Sequence, residues 1–281
     1  MISTFCAARF QAVIATLVLT AVPTLEALAQ AEPNFEPRVG QAGKDVIWVP
    51  TPNALIDRML RMANAGPTDR VVDLGSGEGR IAIAAARDFK VASAIGIEYN
   101  PAMVAVSNRA ATEQGVAQRV KFIEGDIFAT DFSDATIITM YLLPSLNLRL
   151  RPILLNMKPG TRLVSHAFTM DDWQPDDRAE VEGQSAYFWI VPAQVGGTWR
   201  VQLGTETTEM KLAQTFQNFE GTAGTAGSPV KGTLKGDEIR FSLAVGRGGE
   251  RELIGKVTGD QMSGRAGNAT FTATRIAPPA P

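Results

Sequence analysis

A glycine-rich turn between an apolar run and a predicted helix is the segment best suited to hold a small charged ligand. Residues 71–80 read Val-Val-Asp-Leu-Gly-Ser-Gly-Glu-Gly-Arg. Glycine lets the backbone approach a ligand closely, and the N-terminus of the next helix presents free N–H groups. Asp73 lies two residues before the first glycine, where its carboxylate would repel a pyrophosphate but would suit an ammonium group.

Two further acidic residues follow the next two predicted strands. Glu98 ends the second strand, nineteen residues after Gly79, where a carboxylate can accept hydrogen bonds from two ribose hydroxyls. Asp126 lies just past the third strand, where it could accept from an exocyclic amine. Because ligands of open α/β folds bind at the carboxyl ends of the strands, these acids and the glycine-rich turn predict one nucleotide-like site.

An alternation of strands and helices must position these residues. The pattern predicts strands at 70–74, 94–97, 120–124, 135–141 and 162–166, and helices at 80–88, 101–114 and 146–157. An earlier helix begins at Thr51-Pro52, with Thr51 as its N-cap and Pro52 at the first helical position. Such alternation predicts a parallel sheet covered on both faces, and Glu182-Gly183 predicts an antiparallel hairpin at its edge.

A different pattern begins near residue 197, where short alternating runs are separated by glycines. Strands are predicted at 198–203, 208–214, 216–221, 238–245, 252–257 and 269–274, which indicates a small β-sandwich or barrel. A weak repeat relates 231–239 to 254–262, and each copy holds a Gly-Asp pair suited to a two-residue hairpin turn. The predicted divisions are a lead-in at 30–47, an α/β domain at 48–195, a β-rich domain at 196–276 and a tail at 277–281.

The spacing Gly-x-Gly-x-Gly after Asp73 resembles the class I S-adenosylmethionine-dependent methyltransferases, over about residues 45–192. The resemblance implies a Rossmann-like methyltransferase fold with S-adenosyl-L-methionine as cofactor. In that family the glycine loop holds the methionine moiety, the acid after the second strand holds the ribose, and the residues after the third strand hold the adenine. Carried onto this sequence, the cofactor site comprises Asp73, Gly75, Ser76, Gly77, Gly79, Glu98, Asp126 and Ile127.

Two flanking segments suggest a narrower resemblance. Trp48-Val49-Pro50-Thr51-Pro52 and Tyr141-Leu142-Leu143-Pro144 look like a subgroup of small methyltransferases, which includes lysine methyltransferases acting on membrane proteins of mitochondria. The resemblance implies direct displacement of the methyl group onto a protein acceptor, with lysine one possibility, or onto a small molecule. Thr139 and Tyr141, at the exit of the fourth strand, are the candidates for the catalytic acceptor site, and the competing interpretation of Tyr141 is a packing role.

Two other residues have competing interpretations. Trp48 could shield the cofactor or belong to the core. His166, the single histidine, ends the fifth strand near the mouth of the predicted site and is either structural or in contact with the acceptor.

Charge and composition exclude several function classes. The chain has 27 basic and 29 acidic residues, so no overall basic surface favours binding to nucleic acid. It also lacks the Asn/Asp-Pro-Pro-Tyr motif of enzymes that methylate nucleic-acid bases. One cysteine, Cys6, and one histidine exclude a disulfide framework and a cysteine- or histidine-rich metal centre. No metal is expected, and the sequence does not predict an oligomeric state.

The first 29 residues have the layout of a secretory signal peptide. Arg9 precedes an apolar run at 10–25, and Ala27-Leu28-Ala29 fits a cleavage site. This predicts an exported protein, periplasmic or secreted, without stable membrane insertion after cleavage. The alternatives are an uncleaved anchor and a cytoplasmic chain. Because the cofactor is made in the cytosol, export also raises the alternative of a non-catalytic binding or scaffold protein of the cell envelope.

Overall fold

A computed structural model describes residues 35–44, 47–244 and 249–279. The predicted signal peptide and part of the predicted lead-in lie outside these ranges. Within them, no helix combines the length and the apolar character that crossing a bilayer requires.

The first part of the described chain is an α/β domain with a seven-stranded sheet in the order β3-β2-β1-β4-β5-β7-β6. Its helices are α1 (Asn53–Met62), α2 (Arg80–Asp88), α3 (Pro101–Glu113) and α4 (Pro144–Leu155). Its strands are β1 (Arg70–Leu74), β2 (Ser93–Glu98), β3 (Val120–Glu124), β4 (Ile137–Met140), β5 (Arg162–His166), β6 (Asp177–Val181) and β7 (Gln184–Ile190). Strands β1 to β5 are parallel, and β6 and β7 form an antiparallel edge hairpin. The predicted fold class is confirmed.

The order of the strands creates the crevice in which a ligand can bind. From β1 the chain runs outward through β2 and β3, then returns to place β4 on the other side of β1. The connections after β1 and β4 therefore diverge, and the carboxyl ends of these strands border an open space. The central strands are held by apolar packing: all four residues of β4 are buried, and α1 buries Leu55, Ile56, Met59 and Leu60 against the sheet.

The second part is a closed barrel of eight antiparallel strands, which resolves the predicted choice between sandwich and barrel. The strands are β8 (Gly197–Leu203), β9 (Glu206–Thr215), β10 (Asn218–Ala223), β11 (Ser228–Lys235), β12 (Glu238–Ala244), β13 (Glu250–Thr258), β14 (Gln261–Ala266) and β15 (Ala269–Ala277). Inward-facing residues alternate with exposed ones, and Trp199, Phe219, Phe241 and Phe271 fill the interior. The interior of the barrel is thus filled by side chains and forms a hydrophobic core.

The predicted Gly-Asp turns are present between β11 and β12 and between β13 and β14. Gly236 and Gly259 have φ of +64° and +57°, whereas the following aspartates do not have positive φ. Positive φ at the first turn residue alone is the pattern of a type II′ hairpin turn.

The barrel contacts the α/β domain at several points. The Ala193 N–H donates to the Gly236 carbonyl at 2.8 Å. The rings of Trp173 and Phe216 stack with centroids 5.8 Å apart. Where β15 pairs with β8 and closes the barrel, the Arg275 guanidinium lies 4.4 Å from the Trp199 ring and donates to the carbonyls of Gln194 and Gly196.

Candidate active site

A cavity of about 300 Å³ opens at the carboxyl ends of β1, β2 and β4. Of the predicted cofactor residues, Asp73, Gly75, Ser76, Gly77, Glu98, Asp126 and Ile127 line it. Gly79 stands just behind the wall as the N-cap of α2. Among the described residues, the barrel contributes none to the lining.

The glycine loop is held across the end of β2 by its own backbone. The N–H groups of Gly75 and Ser76 both donate to the Ile97 carbonyl, at 2.9 and 3.1 Å. The three glycines have φ between +53° and +84°, the left-handed region that other residues rarely adopt. A Cβ on Gly77 would lie 2.6 Å from Nε1 of Trp48, so the indole covers the loop closely.

Ser76 supplies a polar atom that the protein itself leaves unpaired. Its hydroxyl is buried and has no hydrogen-bond partner among the described residues, although the residue lines the cavity. The oxygen lies against Gly96 of β2, where an added Cβ would be 2.5 Å away. The glycine loop, with the backbones of Gly75 and Gly77 in the cavity wall, fits the methionine end of S-adenosylmethionine.

Asp73 is a buried carboxyl group at the base of the cavity. Burial raises its pKa to about 7, the nearby Glu98 adds to the rise, and a hydrogen bond from the Thr139 hydroxyl opposes it. That bond joins Thr139 Oγ1 to Asp73 Oδ1 at 2.7 Å. Thr139 is itself fully buried and does not line the cavity, so its position favours support of Asp73 over contact with an acceptor.

Cofactor affinity should depend on pH through Asp73. If its carboxylate holds the cofactor ammonium group, only the ionised form binds well, and the raised pKa means that this form is lost as pH falls through about 7. The dissociation constant for S-adenosylmethionine should therefore rise about tenfold between pH 8 and pH 6. Calorimetry at both values measures this change. Asp73→Asn should bind more weakly and show no such dependence, whereas equal affinities of the unaltered chain at both values would contradict the assignment.

Both oxygens of the Glu98 carboxylate are already fixed by backbone N–H groups. Oε2 accepts from Gly77 at 2.9 Å, and Oε1 accepts from Asn100 at 2.9 Å. Since each carboxylate oxygen can accept two hydrogen bonds, each keeps one lone pair for a ribose hydroxyl. The carboxylate thus braces the glycine loop and remains able to bind a ligand.

Asp126 is engaged in a similar way at the other end of the cavity. Oδ1 accepts from the Phe128 N–H at 2.9 Å, and Oδ2 pairs with Lys44 Nζ at 3.0 Å. These bonds lower the pKa of Asp126 from its ordinary value, the Phe128 N–H contributing most. The ammonium of Lys44 also lies 4.3 Å from the Tyr99 ring centroid. Asp126 keeps lone pairs for an exocyclic amine, so its role toward adenine stays a prediction.

Aromatic side chains line the end of the cavity beyond β4. Tyr141 lies in the wall, and its ring stacks on the His166 ring with centroids 3.7 Å apart. Phe168 is also in the wall, and the centroid of its ring lies 6.2 Å from that of Tyr141. Among the described residues, none hydrogen-bonds to the Tyr141 hydroxyl. Sequence reasoning missed Phe168, although its position two residues after β5 placed it at the correct sheet edge.

Thr51 has a different role from the predicted one. The N-cap of α1 is Pro52, and no side chain caps the helix. The Thr51 hydroxyl instead lies 3.0 Å from Nδ1 of His166, and Nε2 of the same ring lies 3.0 Å from Gln184 Oε1. The predicted capping interaction is wrong because the buried ring offers the hydroxyl a partner across the sheet edge.

Comparisons with known proteins agree with this geometry. The family model of the ANTKMT methyltransferase domain matches residues 73–177. The protein-lysine N-methyltransferase of Saccharolobus islandicus is 39% identical over 151 residues, which are 52% of this chain and 94% of that protein. The adenine nucleotide translocase lysine N-methyltransferase of Mus musculus is 31% identical over 121 residues, which are 43% of this chain and 52% of that protein. The chain thus spans about half the length of the mouse relative.

A solved structure extends the comparison to three dimensions. It is described as an RNA methyltransferase from Salinibacter ruber in complex with S-adenosyl-L-homocysteine. It is 47% identical, with a TM-score of 0.51, and the match covers 52% of this chain and 96% of that one.

Proposed function

This chain belongs to the family of S-adenosylmethionine-dependent methyltransferases that includes the protein-lysine N-methyltransferase of Saccharolobus islandicus, and from that membership we propose that it methylates the side-chain amine of lysine in a protein acceptor. The cofactor is S-adenosylmethionine. The relatives described above are all named as methyltransferases, and nothing in these comparisons supports a non-catalytic scaffold.

The observation that carries the lysine proposal is the aromatic end of the cavity. Tyr141 and Phe168 offer ring faces that favour a cation or its methylated forms, and the Tyr141 hydroxyl is available to orient a nitrogen. An aliphatic side chain can reach this end along the apolar residues Leu142, Leu143 and Leu146, which also line the cavity.

The chemistry requires little of the protein beyond positioning. When bound, S-adenosylmethionine supplies a methyl group on a sulfonium sulfur, which leaves as a neutral thioether. The acceptor amine must first release a proton to solvent, and its lone pair then forms the new nitrogen–carbon bond. The chain's own contribution is to align the nitrogen with the methyl carbon and to exclude water. Tyr141 would hold the neutral amine through its hydroxyl.

The test is methyl transfer from labelled cofactor to cell fractions, with methyl-lysine identified in the hydrolysed protein. Tyr141→Phe should lower the rate about tenfold while the dissociation constant for the cofactor changes less than about twofold. Label found only in RNA would contradict a protein acceptor. Transfer to protein at an unchanged rate in Tyr141→Phe would contradict the role of the tyrosine.

RNA is the second candidate acceptor, because the Salinibacter relative is described as an RNA methyltransferase. The charge of this chain is against it: 27 basic residues are balanced by 29 acidic ones. The segment after β4 reads Tyr141-Leu142-Leu143-Pro144 and offers no amide side chain to a base edge.

We also propose that the chain is exported, on the basis of the apolar run at 10–25 and the small residues that follow it. Residues 1–35 fused to a reporter that works only after export should give an active reporter. A silent fusion would contradict export and favour the cytosol, where the cofactor is made.

A further inference from the structure

The single histidine of the chain connects two walls of the site without lining the cavity itself. His166 is 1% exposed and ends β5. One face of its ring stacks on Tyr141, and Nδ1 meets the hydroxyl of Thr51. Tyr141 belongs to the acceptor end, whereas Thr51 ends the run of residues 47–51, called here the cover segment. The imidazole therefore contacts both.

The hydrogen bonds define the state of the ring. Gln184 presents Oε1, which accepts, so Nε2 of His166 carries the proton. Nδ1 of a neutral imidazole then accepts from the Thr51 hydroxyl. Burial lowers the pKa of His166 and favours this neutral form. A neutral ring with both nitrogens bonded is held in one orientation, so the stacked Tyr141 ring has a rigid backing.

The cover segment is tied equally firmly to the cofactor side. Trp48 exchanges backbone hydrogen bonds with Gly40 and Gln41, both at 2.9 Å. Its indole lies directly over Gly77 of the glycine loop. Thr51 follows Trp48 by three residues in the same segment, so a short length of chain links the indole over the glycine loop to the hydroxyl that meets His166.

We propose that His166 is a positioning residue that couples enclosure of the cofactor by the cover segment to placement of Tyr141 at the acceptor end. This inference rests on the proposed function. Cofactor binding presses against Trp48, the cover segment transmits the change through the Thr51 hydroxyl, and the His166 ring carries it to Tyr141. Binding at the cofactor end is then felt at the acceptor wall through one hydrogen bond and one ring stack.

The uniqueness of the histidine makes the coupling observable. The full chain, purified with a tag that contains no histidine, gives one set of imidazole NMR signals. Saturation with S-adenosylhomocysteine should shift the Nδ1 resonance of His166, although the ring does not line the cavity. Thr51→Val, which keeps the shape of the side chain but removes the hydroxyl, should abolish the shift. Thr51→Ser, which keeps the hydroxyl, should restore it.

Each result has a distinct meaning. Absence of S-adenosylhomocysteine binding by calorimetry would defeat the proposed function, whereas binding without any His166 shift would defeat only the coupling. A shift that persists in Thr51→Val would show that Tyr141 alone senses the ligand, which also overturns the proposal. Amide spectra that match between Thr51→Val and Thr51→Ser establish that both are folded. In methyl transfer at saturating cofactor, Thr51→Val should lose about tenfold in rate and Thr51→Ser should stay within about twofold.

Discussion

Glu98→Ala should weaken cofactor binding by about 100-fold or more. Two ribose hydroxyls lose a charged acceptor, and hydrogen bonds to charged groups contribute about 1.5–3 kcal/mol each. The substitution also leaves the Gly77 N–H without the carboxylate that now holds the glycine loop. Both effects act in the same direction, and calorimetric titration of the full chain with S-adenosylhomocysteine measures their sum.

Glu124→Ala is the matched control for this prediction. Glu124 pairs with Glu98 in register on the neighbouring strand, but it is exposed and does not line the cavity. Its replacement should leave the dissociation constant within about twofold of the original, since surface changes away from a site have small effects. A comparable loss in both variants would mean that the general negative charge, and no specific bond at Glu98, promotes binding.

Gly79→Ala should destabilise the α/β domain by about 3 kcal/mol. Gly79 has φ of +84°, which costs a non-glycine residue about 1–2 kcal/mol. Its Cβ would also lie 2.4 Å from Cζ of Phe122 and 3.1 Å from Cβ of Ser107. Overpacking of this kind costs about 1–3 kcal/mol more. Calorimetric melting should show a decrease of about 8 °C in the midpoint of the α/β domain.

Gly115→Ala separates the two causes of that loss. Gly115 has φ of +69°, yet a Cβ there would meet no atom within 4 Å. Alanine at this position would introduce backbone strain without a clash, so the free energy of unfolding should fall by only about 1 kcal/mol. A second substitution, Phe122→Leu, should recover part of the loss in Gly79→Ala, because it removes the ring that clashes. Equal destabilisation by Gly79→Ala and Gly115→Ala would exclude the clash as a cause.

The cofactor side of the site is predictable because its residues occur at the ends of consecutive strands. Gly75 follows β1, Glu98 is the last residue of β2 and Asp126 comes shortly after β3, and parallel pairing brings such strand ends to one edge of the sheet. The local signals are also clear: Glu98 directly follows the apolar end of β2, and Asp126 comes two residues after β3 ends. Their meeting at one cavity can therefore be deduced from order along the chain, while their roles toward the cofactor stay predictions.

The acceptor side is less predictable because its contacts join residues far apart in sequence. Thr51 has the residue type and position of an N-cap, and only the approach of His166 from β5 takes its hydroxyl elsewhere. The sequence predicts Thr139 in the acceptor site because it lies near the end of the fourth strand, beside the cavity. Strand side chains alternate in direction, and that of Thr139 meets Asp73 on β1 within the sheet.

Two strands of the barrel are not predictable from the sequence, because glycines obscure their alternation of apolar and polar residues. The sequence pattern does not predict β11 and β14, since Gly232 and Gly264 interrupt their alternation. In the structure these glycines allow close approach between neighbouring strands. A Cβ on Gly232 would lie 2.2 Å from the Phe219 ring, and one on Gly264 would lie 2.2 Å from the Ile254 carbonyl oxygen. The glycines that interrupt the sequence alternation are thus the residues that allow neighbouring strands of the barrel to pack closely.

The pairing of β8 with β15 differs from every other pairing in the barrel, because it joins the first strand to the last. All other neighbours are consecutive in the chain, with few residues between them, so the largest entropic cost of closing the barrel falls on this one pairing. Arg275 belongs to this pairing and binds carbonyls of the segment that leads out of the α/β domain. The linker before β8, whose Val195 packs in the barrel core, therefore braces the pairing that closes the barrel, and a barrel that began at Gly197 would lose this contact.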